Sequence, residues 1–189
     1  MRPLHLISTL AILAVTAACG SSKLEKATAE KLIKPDYPAV AVLRVPLVTK
    51  PVEKGSADDQ KFQKINELLA QGGWFESKAE EKDGKVRYRY RSTAKAPSSV
   101  KAGLENFEAP AATVEFVGAT RLEPMDGKGT SVKVTFLVKM TKPSPLWPVY
   151  ELTHEGAKIG QPIERRARFE RSGGKWGLME TDEKARIKP

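Results

Sequence analysis

Residues 56–93 read SADDQKFQKINELLAQGGWFESKAEEKDGKVRYRYRST, and the change of period inside this stretch decides the fold. Over Ala57 to Gln71 the apolar residues Phe62, Ile65, Leu68 and Leu69 recur at helical spacing on one face, with Gln60, Lys64 and Glu67 on the other. Ser56 stands as N-cap with Asp59 three residues on, an approximate capping box, and Asp58 and Asp59 suit the positive helix start. Gly72-Gly73 supplies the stop. From there the period becomes two. Trp74 to Lys82 and Lys85 to Thr93 flank Asp83-Gly84, the dipeptide of a two-residue hairpin loop.

Such a loop fixes the pairing. Lys82 faces Lys85, which sets Glu80 opposite Arg87, Lys78 opposite Arg89 and Glu76 opposite Arg91. Tyr88 and Tyr90 then point to the core, with Ala79 and Ser77 across from them, while the three arginines share the outer face. Arg87 and Arg91 meet carboxylates, whereas Arg89 meets a like charge. Cross-strand ion pairing is expected to leave this face mostly neutral, and any anion-binding role to centre on Arg89.

Period-two patterning continues downstream. Val114, Phe116, Gly118, Thr120 and Leu122 alternate with Glu115, Val117, Ala119 and Arg121; after the turn Asp126-Gly127-Lys128-Gly129, Val132, Val134, Phe136, Val138 and Met140 answer on one face. Pro143, Pro145 and Pro148 break that strand around Trp147, a residue expected to seal a core edge. Arg165 to Arg171 and Lys175 to Glu180 form a last pair across Ser172-Gly173-Gly174. Upstream, Ala39 to Val45 is short, apolar and β-branched between prolines, a further strand. Lys95 to Ala112 reads as loop. The sum is an α+β domain: an antiparallel sheet of about five to seven strands with one principal helix packed on it. The organisation expected is 1–18 signal peptide, 19–36 lipidated Cys and tether, with Leu24, Ala27 and Leu32 at a spacing that allows a short helix in it, 37–183 a single domain, and 184–189 a frayed tail. The helix and hairpin over Ala57 to Thr93 also loosely resemble half of a winged-helix domain, without its second helix.

The N-terminus reads MRPLHLISTLAILAVTAACG. Arg2 gives a positive start, and Leu6 to Val15 is apolar apart from Ser8 and Thr9, about ten residues where a membrane span needs about 20. Small residues then precede Cys19, the sole cysteine of 189 residues. Val15-Thr16-Ala17-Ala18-Cys19-Gly20 resembles the lipobox of bacterial lipoproteins, with Thr16 where Leu is commoner. The resemblance implies cleavage before Cys19 and lipid on its thiol, so that the membrane is the first partner. Gly20 in place of Asp implies sorting to the outer membrane in enteric-type bacteria, facing the periplasm. A lipidated thiol also suits an oxidising compartment, where a free one is a liability.

Composition narrows the chemistry. With two His and one Cys there is little material for a thiolate or histidine metal site, and neither a metal nor another cofactor is expected. His154, beside Glu155, matches no metal spacing, and no nucleophile elbow or paired carboxylates emerge, so the chain reads as non-enzymatic. The formal charge of +9, which becomes +8 once Arg2 leaves with the signal, favours anionic partners. Arg166 and Arg168 share one face of the Arg165-Arg166-Ala167-Arg168 run and join Arg89 as anion-binding candidates, forming one patch with it if their strands share a sheet. Export excludes chromosomal nucleic acid as partner. The expected function is a lipid-anchored envelope protein with a non-catalytic interaction or structural role. Its rivals are a binding module for a small ligand or anionic polymer, a hydrolase with scattered residues, and an inhibitor of a non-basic target. An apolar pocket beside Arg89 would favour the binding module.

Overall fold

The computed structural model describes residues 23–182 and 184–185. The expected signal segment and Cys19 lie outside the described residues. In chain order the elements are α1 (Lys26–Ile33), a 3₁₀ turn (Lys34–Asp36), β1 (Ala39–Pro46), β2 (Val52–Glu53), α2 (Ala57–Gly72), β3 (Phe75–Lys82), β4 (Lys85–Ser92), β5 (Lys101–Ala102) and β6 (Asn106–Pro124). There follow β7 (Ser131–Thr141), α3 (Trp147–Thr153), β8 (Pro162–Ser172), β9 (Lys175–Thr181) and β10 (Lys184–Ala185). A large sheet runs β1-β6-β7-β8-β9-β10 with β5 also on β6, all pairs antiparallel; a small one runs β2-β4-β3.

The α+β class and the principal helix are as the sequence predicts. The Ser56 Oγ accepts the Asp59 N–H at 3.2 Å, and Gly73 caps the far end at φ +75°, the left-handed region that glycine adopts without a Cβ penalty. The hairpin register is also as derived, with Glu80 opposite Arg87, Lys78 opposite Arg89 and Glu76 opposite Arg91. Tyr88 and Tyr90 are buried. Along β7, Val132, Val134, Phe136, Val138 and Met140 all enter the core, where Phe136 meets Phe116 and Tyr37.

Five features differ from expectation. First, β6 begins at Asn106, inside the segment read as loop: Phe107, Ala109, Ala111 and Ala112 are buried, and Phe75 of the small sheet packs on Phe107 at 5.3 Å. Second, the alternation over 114–122 breaks at register shifts between Phe116 and Gly118 and between Ala119 and Arg121, which turns Ala119 inward in place of Gly118 and Thr120. The N–H of Ala119 there donates to Glu30 Oε1 at 2.9 Å. Third, Glu30 belongs to α1, which docks within the segment read as tether: Leu24, Ala29 and Ile33 are buried in the core. Fourth, the proline-rich run ends in α3, with Pro148 in its first turn, where a missing N–H costs no helical bond. Trp147 does seal the core, stacked on Tyr150 at 5.4 Å. Fifth, beyond Thr181, Lys184 and Ala185 extend the sheet as β10 where a tail was expected.

Candidate functional site: a groove between the principal helix and the sheet junction

The two sheets are joined by the chain itself. Pro46 ends β1, and the next residues cross from the large sheet to the edge of β4: the Leu47 N–H donates to Glu105 O at 2.8 Å, the Tyr90 N–H to Leu47 O at 2.9 Å and the Thr49 N–H to Tyr88 O at 2.9 Å. Against this crossing segment α2 turns Asp58, Lys61, Phe62 and Ile65, the i, i+3, i+4, i+7 stripe of its N-terminal half. A gap is left between them. It forms a groove of about 900 Å³, walled by Leu47, Val48, Val52, Phe62 and Ile65 and rimmed by Leu104 to Asn106. Small-molecule pockets span about 300–1,000 Å³. Phe62 and Ile65, expected in the core, are therefore only half-buried, while Leu69 one turn on is 1% exposed.

The groove's charge is concentrated at its edges. Lys50 and Lys61 line it and form no ion pair among the described residues, and Asp58 and Glu105 stand on its rim. Arg89 also lines it, but its Nε lies 3.2 Å from Glu80 Oε1, and the same carboxylate takes Arg87 at 2.7 Å. Those hydrogen bonds, the one from Arg89 foremost, hold the Glu80 carboxyl below its ordinary range. Leu104 is wholly exposed at the rim.

A buried polar cluster sets the helix wall. Asp59, 1% exposed, accepts from Tyr88 Oη at 2.6 Å, the Gly55 N–H at 2.8 Å and Gln63 Nε2 at 3.1 Å. The Tyr88 hydroxyl is the main reason that its carboxyl sits low, and burial pushes the Tyr88 phenol up. Phe62 packs on the Tyr88 ring at 6.0 Å. Helix α2 is thus tied to β4 through its first turn, beside the groove-lining Asp58 and Phe62.

The three arginines singled out from sequence do not form one patch. Arg89 is on β4 of the small sheet, and Arg166 and Arg168 are on β8 of the large one. Arg89 is not the uncompensated member of its stripe either: cross-strand pairing puts Lys78 opposite, but the diagonal carboxylate of Glu80 reaches it. Arg168 lies 3.4 Å from Glu180, and the exposed Arg166 guanidinium forms no ion pair among the described residues. Around them Glu123 binds Lys133 at 2.7 Å and Arg121 at 3.3 Å. His154 caps the end of α3, its ring stacked on Tyr150 at 3.9 Å. Among the described residues no group of three or more His, Cys, Asp or Glu side chains converges as a metal site.

Sequence reasoning missed Lys50, Lys61 and Leu104. The available signal was the pair Pro46 and Pro51, which bracket a run too short for a core strand, together with the charged residues Asp58 and Lys61 inside an otherwise apolar helix stripe. Compared with protein-family models, curated protein sequences and solved structures, the chain matches none of them.

Proposed function

We propose that this protein is a lipid-anchored, non-catalytic binding module of the bacterial cell envelope, held by lipid on Cys19, whose groove takes a small amphiphile with an apolar body and an anionic group. One observation carries this reading in preference to a purely structural role: the apolar groove beside Arg89, in which Phe62 and Ile65 leave apolar surface open to a ligand while Lys50 and Lys61 stand unpaired among the described residues. Burying apolar area contributes about 25 cal/mol per Å², and an anion near two lysines gains further attraction. The lipobox-like residues before Cys19 support the anchor, and Gly20 supports the outer membrane facing the periplasm.

Binding is read with the Cys19→Ser chain, purified without detergent and titrated with 11-(dansylamino)undecanoic acid. Emission should rise and saturate at one probe per chain. Lys50→Glu with Lys61→Glu should weaken binding about tenfold, equivalent to about 1.4 kcal/mol, while Arg166→Glu leaves it unchanged. Emission that never saturates, or that ignores the lysine reversals, contradicts the groove. Intact mass of the mature wild-type chain should carry acyl groups at Cys19; an unmodified chain retaining Met1 in the cytoplasm contradicts the anchor.

A further inference from the structure

Strand β6 connects the groove to the anchor. Its first residue, Asn106, lines the groove beside Leu104 and Glu105. Twelve and thirteen residues further on, Gly118 and Ala119 lie against Glu30 of α1. At about 3.3 Å per residue these points are separated by up to about 40 Å along the strand. Helix α1 also packs on β9, which reaches β6 only through β8 and β7, at the Pro124 end. The N-terminal helix therefore belongs to the pole opposite the groove.

The connection to the lipid is short. Leu24, Ala29 and Ile33 are buried, so the chain is already part of the core from residue 24. Between Cys19 and Leu24 a fully extended backbone reaches about 18 Å, less than half the run along β6. Tilting the domain onto the outer face of the large sheet does not lower the groove. Phe75 of the small sheet and Phe107 of β6 meet on the inner face, and Leu146, next to α3, approaches Gly72 of α2. The groove's helix wall thus stands on the side away from Arg121, Lys133, Arg166 and Arg168, which lie on the outer face, Lys133 opposite Arg168 and both Arg121 and Arg166 opposite Thr135.

Resting on the anchor and groove readings above, we propose that the groove faces away from the bilayer that holds Cys19 and takes its anionic amphiphile as a monomer from the aqueous phase, not from its own membrane. Lipidation consumes the only native thiol, so a single introduced cysteine is uniquely labelled. Lipidated full-length protein carrying Lys26→Cys or Leu104→Cys is labelled with a fluorophore and reconstituted in phosphatidylcholine vesicles containing nitroxide-headgroup lipid. Both side chains replaced are exposed, so neither change disturbs the core. The label at position 26 should lose emission, and the label at position 104 should keep the value it has in quencher-free vesicles. Equal quenching at the two positions overturns the proposal while leaving groove binding, read with the dansyl probe, intact. Protein that does not float with the vesicles overturns the anchor reading and this proposal together.

Discussion

Asp59 is buried and ionised, and its three hydrogen-bond donors come from the residues before α2, from α2 itself and from β4. The consequence is a defined pH window. The folded carboxyl lies below its unfolded value of about 3.9, so its stabilisation is complete above that value and is lost as pH falls through the lower folded one. The Tyr88 phenol is raised, so its share persists below the unfolded value of about 10 and is lost as pH climbs through the higher folded one. Tyr88→Phe should accordingly lower the urea midpoint near pH 7, and the gap to wild type should narrow at pH 3. A gap that stays constant down to pH 3 would show that the hydroxyl's partner is not an ionised Asp59.

Within α2 the two ends do different work. Leu69 is enclosed, so Leu69→Ala should cost about 2–5 kcal/mol, whereas Gln60→Ala on the exposed face should cost less than about 0.5 kcal/mol. Ile65 lines the groove, so Ile65→Asp should weaken probe binding before it unfolds the chain. Gly72→Ala is the sharper case. Helix propensity alone would reward it by about 0.5–1 kcal/mol, but the new Cβ would lie 2.9 Å from Leu146 Cδ2 and 3.1 Å from Pro145 O, so stability should fall. A more stable Gly72→Ala variant in thermal melts would mean that α3 does not press on α2 as described. This helix and its hairpin were legible in sequence because cap, period and turn chemistry are local, and the Asp83-Gly84 loop fixes the register by geometry alone. What was not legible depends on distant partners. Ala109-Pro110-Ala111-Ala112 looks like loop until β1 pairs with it, and the lysines of α1 hide Ala29 and Ile33, whose burial needs β6 and β9. The groove was illegible for the same reason: half-buried Phe62 has the sequence signature of a buried one.

Across the whole molecule the positive charge is spread over separate surfaces. Arg89 is held by Glu80 on the small sheet, Arg166 and Arg168 lie on the outer face of the large sheet, and Lys50 and Lys61 flank the groove. A chain of formal net charge +9 attracts anions at low salt, but that attraction is screened as the Debye length shrinks from about 10 Å at 0.1 M to about 3 Å at 1 M. Only a site that also buries apolar surface keeps its ligand at high salt. Where an amphiphilic anion settles in 0.5 M salt is therefore decisive, and a map of amide and methyl chemical shifts reads it directly as dodecanoate is added to the isotopically labelled Cys19→Ser chain. Saturable shifts gathered at Lys50, Lys61, Ile65 and Leu104, with Arg166 and Arg168 silent, are the predicted result; shifts centred on Arg121, Lys133, Arg166 and Arg168 with the groove unmoved would contradict it.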